Sequence, residues 1–166
     1  MNEPIEIRKG QAEDLPHLAA VEAACFPPSE AAAKESLAAR LAVYPSHFLL
    51  AIDQGKVVGF IDGMVTDEKD LIDSMYDHAG MHDEEGDWQM IFGLNTIPER
   101  RREGIAGHLI HAFIDMARKE GRKGLVLTCK DRLIHYYAHF GFTDEGISTS
   151  THGGALWHQM RLVFEK

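Results

Sequence analysis

Three consecutive arginines precede two glycines near the middle of the chain, in Arg100-Arg101-Arg102-Glu103-Gly104-Ile105-Ala106-Gly107. Residues of these types in this order can hold an anion. The first turn of a helix carries backbone N–H groups with no internal partner, and the helix dipole favours negative charge there. Gly104, Ala106 and Gly107 place little or no side chain over those groups, so a phosphate can come close. The arginines add positive charge in an otherwise acidic chain. A diphosphate suits such a site. It is not a P-loop, because no Lys-Ser or Lys-Thr pair follows the glycines, and it is not Gly-x-Gly-x-x-Gly. Read alone, the stretch is equally an ordinary strand-to-helix turn with solvated arginines.

The elements around it must put that turn in place. The apolar, β-branched run from Ile91 ends at Pro98, which cannot continue a central ladder. Beyond the turn, Ile105, Leu109, Ala112, Phe113 and Met116 recur at helical spacing. Gly121 suits a left-handed cap. Leu125-Val126-Leu127 reads as a buried strand, parallel to the preceding one if the helix is a crossover.

Upstream, Ile5-Glu6-Ile7-Arg8 alternates as a strand. Gln11 to Ala24 reads as a helix, with Leu15, Leu18, Val21 and Ala24 or Cys25 on one face. Pro27-Pro28 breaks the chain, and Ser29 is a good N-cap for a second helix, Glu30 to Leu41. His47 to Ile52 and Lys56 to Val65 read as two strands joined at Asp53-Gln54-Gly55. Thr66 to Asp87 is acidic and poor in anchors; it reads as a short helix plus a mobile loop. Downstream, Asp131 can cap a helix running to His139. Gly146 to Gly154 reads as a polar loop, and Leu156 to Phe164 as the last strand.

At 166 residues the chain reads as one domain, residues 1–166, with one substantial core. Its net charge of −9 argues against a nucleic-acid surface and suits attraction of a cationic amine. No apolar run approaches the ~20 residues that span a bilayer. Met1-Asn2-Glu3-Pro4 lacks the regions of a secretory signal, so a cytoplasmic protein is expected. Two cysteines, Cys25 and Cys129, are too few for a disulfide framework and read as buried free thiols. Ten histidines are scattered without metal-ligand spacing, so no metal is expected and most should be exposed.

Arg101-x-x-Gly104-x-Ala106 resembles the acyl-CoA pyrophosphate signature of the GNAT N-acetyltransferases. Tyr136-Tyr137-x-x-Phe140-Gly141-Phe142 downstream fits the same superfamily. Phe60-Ile61-Asp62-Gly63 with Asp67-Glu68-x-x-Leu71, and Cys129-x-Asp131-x-Leu133-x-x-Tyr136-Tyr137-x-x-Phe140, look most like stretches of the arylalkylamine N-acetyltransferases. The resemblance covers nearly the whole chain. It implies an α/β (α+β) GNAT fold, with a mixed central sheet of about six to seven strands, four main helices, and splayed central strands holding acyl-CoA.

The implied activity moves an acetyl group from acetyl-CoA to a primary amine, here a small aryl or alkyl amine. By resemblance, Leu94, Asn95 and Thr96 would offer backbone groups to the pantetheine arm. Arg101, Arg102, Glu103, Gly104, Ile105, Ala106 and Gly107 would wrap the pyrophosphate. Tyr137 would be the general acid: a phenol stays protonated at neutral pH and can give a proton to a departing thiolate. By residue type alone it is also a core tyrosine with a satisfied hydroxyl. Two histidines that serve vertebrate-type members as base align with Met90 and Phe92, and neither can take a proton. Glu30 falls near the glutamate that insect-type members use, and stands as the substitute. It is also an ordinary helix-start carboxylate. Phe26, Pro27 and Pro28 would line the acceptor pocket, with Met75 and Tyr76 beside them, or would form a small satellite core. Other readings are transfer to a polyamine, an antibiotic or a protein N-terminal amine, and a non-catalytic acyl-CoA-binding module. The sequence leaves monomer and homodimer both open.

Overall fold

The computed structural model describes residues 5–165; Met1 to Pro4, read above for a signal segment, lie outside them. A first sheet has the order β1-β2-β3-β6 and is antiparallel throughout: β1 Glu6–Lys9, β2 Phe48–Asp53, β3 Lys56–Asp62 and β6 Gly93–Thr96. The β2–β3 hairpin closes on Gln54-Gly55, both at positive φ (51° and 78°), the turn geometry whose twist matches the flanking strands. A second sheet has the order β4-β5-β7-β9-β8: β4 Val65–Thr66, β5 Trp88–Ile91, β7 Gly124–Cys129, β9 His158–Val163 and β8 Thr143–Ile147. Within it β5 and β7 are parallel and the other pairs antiparallel.

The expected mixed sheet of about six to seven strands is present, divided into these two sheets by a break. Two strands are interrupted at the same level. β3 leads into β4 across Gly63-Met64, and β5 into β6 across Phe92. Met90 N–H to Met64 O (2.8 Å) and Phe92 N–H to Asp62 O (2.7 Å) bridge the break. Gly63 permits it: a Cβ there would lie 1.8 Å from the Met90 carbonyl oxygen. Counting each interrupted strand once reduces nine segments to seven.

Among the described residues the α-helices are three long and two short: α1 Leu15–Cys25, α2 Lys34–Val43, α3 Ser74–Asp77, α4 Ile105–Lys119 and α5 Ile134–Ala138. None is long and apolar enough to cross a membrane. α4 buries Ile105, Leu109, Ile110, Phe113, Ile114 and Ala117, packing across β2, β3, β6 and β7. Its end is a Schellman cap: Arg122 N–H bonds Ala117 O (3.2 Å), Gly121 N–H bonds Arg118 O (3.1 Å), and Gly121 has φ 80°.

α2 begins at Lys34, four residues later than the Ser29 cap implied. The Pro27 carbonyl instead takes the N–H groups of Glu30 and Ala31 (2.9 Å each), and Glu22 Oε2 takes Ala32 N–H (2.9 Å). Residues 27–32 therefore make a turn held by a carboxylate of α1.

The acidic excursion is not a free loop. Leu71, Met75 and Ala79 enter the core. Glu84 accepts from His47 Nε2 (2.9 Å), His82 Nε2 (2.9 Å) and Arg122 Nη2 (3.0 Å). Arg122 Nη1 also donates to the carbonyls of Glu84 and Gly86 (2.7 and 2.8 Å). His47 is wholly buried, an exception among histidines that are mostly exposed, as expected.

Candidate active site

At the end of β6 the chain turns through Pro98–Arg100 and enters α4. Arg102 (φ 68°) and Gly104 (φ 85°) are both left-handed. The first N–H to find a helical acceptor is that of His108, on Gly104 O (3.1 Å); those of the first turn face outward without one. A Cβ on Gly104 would meet nothing within 4 Å, so the space over this mouth is open. Turns that alternate handedness bring successive N–H groups to one concavity, which binds anions. Arg100 is spent elsewhere, on Asp53 (2.7 Å) and Glu103 (3.0 Å). Arg101 Nε folds back onto the Thr96 carbonyl (3.2 Å), and Arg102 is exposed.

A gap opens from this mouth. β5 and β7 stay paired as far as Ile91 and Leu127. Beyond that point β6 pairs only with β3 and β7 only with β9. The strands part, and the β6 edge facing β7 has backbone groups free for a ligand. The gap leads into a cavity of about 330 Å³ lined by residues of α1, the 26–33 turn, α3, both parting strands, α5 and the 148–157 loop.

The strand, Gly-containing turn and crossover helix at the parting strands lie within a stretch that a family model matches. The acetyltransferase (GNAT) family model covers residues 15–142. This chain belongs to the GNAT family. Solved structures of similar fold include the loading GNATL domain of CurA from Lyngbya majuscula (TM-score 0.83, 16% identity, covering 97% of this chain and 98% of that one). Another is the GphF GNAT-like decarboxylase in complex with isobutyryl-CoA (0.80, 21%, 95% and 98%). A third is the ribosomal-protein-S18-alanine N-acetyltransferase from Escherichia coli (0.73, 19%, 98% and 96%). No curated protein sequence matches the chain.

In this GNAT chain, Tyr137 lies on the cavity wall beside Cys129 and Leu133. Burial pushes its hydroxyl well above the usual phenol range. Glu30 also lines the cavity, with its side chain 11% exposed, and Lys130 Nζ donates to its Oε2 (2.9 Å). Phe26 is a lining residue, whereas Pro27 and Pro28 are exposed and serve the turn. Tyr76 lines the cavity and Met75 is core. Leu94 faces the cavity; Asn95 points the other way, its Nδ2 on Glu22 Oε1 (2.7 Å). Met90 is fully buried, and Phe92 lines the cavity under the Arg40 guanidinium (5.0 Å).

Sequence reasoning missed Glu22, Arg40, His152 and Trp157, all lining residues. His152 stacks on Tyr76 (4.9 Å, 21°), and its Nε2 donates to the Glu30 carbonyl (2.9 Å). Trp157 Nε1 donates to the His152 carbonyl (2.8 Å). Asp73 accepts from Ser150 Oγ and from Thr151 N–H, joining this loop to the start of α3. A Cβ on Gly153 would lie 2.7 Å from Glu30 Cγ, so only glycine lets the loop close on the 26–33 turn. The signal in the sequence was the pair Gly153-Gly154 after a histidine.

Proposed function

We propose that this GNAT chain transfers an acetyl group from acetyl-CoA to a primary amine, and that the acceptor is a small aryl or alkyl amine. The observation that carries the reading is the continuity of three features: the N–H-lined mouth of α4, the gap between β6 and β7, and a cavity with acidic and aromatic walls.

The open mouth at Gly104 and the left-handed Arg102 fit a pyrophosphate, held by residues 101–107. The free edge of β6 at Leu94, Asn95 and Thr96 fits an extended amide-bearing arm, and a β6 N–H directed at the thioester carbonyl would polarise it. Acetyl-CoA supplies the activated thioester. Tyr137 is the proton donor to the departing sulfur; burial keeps it protonated at any working pH. The proton leaving the amine goes to Glu30, once Lys130 yields the carboxylate it now holds. Phe26, Tyr76, Phe92 and Trp157 supply the apolar faces that suit an aryl or alkyl group.

Coenzyme A binding to Gly104→Glu, followed by calorimetry, should be largely lost, because a side chain and a negative charge enter the phosphate site. Unchanged affinity in the folded variant would refute the placement. Tyr137→Phe keeps the ring and removes the donor. It should retain coenzyme A affinity and lower turnover ~10²–10⁴-fold in a thiol-release assay across an amine panel. Turnover within a factor of about two would make Tyr137 structural.

A further inference from the structure

The strand on the far side of the gap ends on a lysine. Thr128 and Cys129 of β7 line the cavity, and Lys130 is the next residue. Its Nζ donates to Glu30 Oε2 (2.9 Å) and lies 5.8 Å from the centre of the Trp157 ring. Glu30 and Trp157 both line the cavity, so this ammonium stands at its rim, between two of its walls. The other lysines among the described residues are exposed; Lys130 is half-buried, with 29% of its side chain open.

An acyl acceptor needs a primary nitrogen, contact with the group that takes its proton, and freedom to reach the thioester carbonyl. Lys130 Nζ is a primary nitrogen already in contact with Glu30, the carboxylate read above as the base. Freedom comes from its four-carbon stem, which is flexible throughout. An ion pair with one partner open to water is held weakly. Once a proton has passed to Glu30, Nζ can turn into the cavity while the backbone stays where it is. Tyr137, the donor to the departing sulfur, lines the same cavity beside Cys129.

We propose that Lys130 is a modification site of this chain, its Nζ taking an acetyl group from acetyl-CoA bound to the same molecule. The inference rests on the acetyltransferase reading. One proton of the ammonium passes to Glu30. The freed lone pair forms the Nζ–C bond at the thioester carbonyl, the C–S bond breaks, and the sulfur takes a proton from Tyr137. The nitrogen loses its second proton to solvent as the amide forms. Solvent then reprotonates Tyr137 and takes the proton from Glu30. The sum is one acetyl-lysine, one free thiol and one proton released. Acetylation removes the lysine charge, so the ion pair cannot form again, and the carboxylate is left free for an amine from solution.

The test maps acetylated lysines by mass spectrometry after two treatments of the full wild-type chain. Acetic anhydride needs no binding site and modifies lysines as they meet solvent, so Lys130 should lag behind the exposed ones. Acetyl-CoA should reverse that order, with Lys130 modified first and at least ~10-fold faster, a small part of what positioning a nucleophile can give. Excess coenzyme A should slow Lys130, and the rate constant should not depend on protein concentration. The same order with both reagents, indifference to coenzyme A, or a rate constant that rises with protein concentration would each overturn the proposal. No arm needs a variant to fold. A thiol-release assay with free amines on the same samples separates the readings. Amine turnover with Lys130 unmodified overturns this proposal and leaves the acetyltransferase reading standing. Modified Lys130 without amine turnover leaves this proposal standing without the small-amine acceptor.

Discussion

Two polar clusters sit at the two ends of the strand break, and they are built on opposite terms. Around Glu84 the bonding is complete. His82 Nδ1 accepts Val65 N–H (3.0 Å), so its Nε2 carries the proton and donates to Glu84 (2.9 Å). Gln89 spends its amide on the carbonyls of Gly63, Met64 and Met90, which aims its Oε1 at His47 Nδ1 (2.8 Å). The His47, His82 and Glu84 ligand-type atoms lie within 4.8 Å of one another, but they are committed to one another and to Arg122. Around Asp62 the bonding is incomplete. Arg40 Nη1 pairs with Asp62 Oδ2 (3.1 Å) and Asn95 Nδ2 donates to Glu22 Oε1 (2.7 Å). Asp62 Oδ1 and Asn95 Oδ1 are buried with no donor among the described residues, and one carboxylate has no countercharge. A closed set of bonds fastens a loop. An open set inside the core is a cost to the fold.

The sharpest way to break this comparison is to remove one arginine from each cluster. Arg40→Met strips the only cation from two buried carboxylates. Breaking a buried pair by deleting one partner typically costs ~3–5 kcal/mol, and urea unfolding should show a loss of that size. Arg122→Met removes bonds to backbone carbonyls and to carboxylates that water can reach. It should cost ~1–2 kcal/mol. If the two losses come out equal, the clusters do not differ in kind, and the open one is ordinary scaffolding.

The sequence discloses one of these regions better than the other, for a reason of range. The mouth of α4 is readable because strand end, arginines, glycines and helix follow one another, so local rules decide it. The β2–β3 turn and the Gly121 cap are readable in the same way. The start of α2 is not, because Glu22 of the preceding helix holds Ala32 and Lys130, far along the chain, holds Glu30. The excursion read as mobile for the same reason: its anchors His47 and Arg122 lie outside it. The Asp62 cluster draws on α1, α2, β3 and β6. It does leave traces. Asp62 interrupts an apolar strand, and Glu22 falls on the apolar face that Leu15, Leu18 and Cys25 define on α1. A polar residue on a core face with no partner in its own element is the signal, and it names the residue without naming its companions.

The smallest expected effect is also the one whose sign separates the clusters. Burial acts to raise Glu84, but hydrogen bonds from His82 and His47 outweigh it and pull the carboxyl from 4.5 to about 2. A depressed acid stabilises the fold above its unfolded pKa, and that contribution is lost as pH falls through the folded value. Asp62 runs the other way: raised from 3.8 to about 6, it favours the fold below 3.8 and opposes it once pH rises past 6. Urea midpoints of the wild type and Glu84→Gln should therefore differ above pH 4.5 and converge as pH falls toward 2. Taking the difference cancels the other carboxylates, which titrate alike in both proteins. The gap should be modest, because the Glu84 side chain is 54% exposed and solvent screens its pairs. Parallel curves across that window would mean that Glu84 does not fasten the excursion. The contrast with Asp62 would then rest on the buried cluster alone.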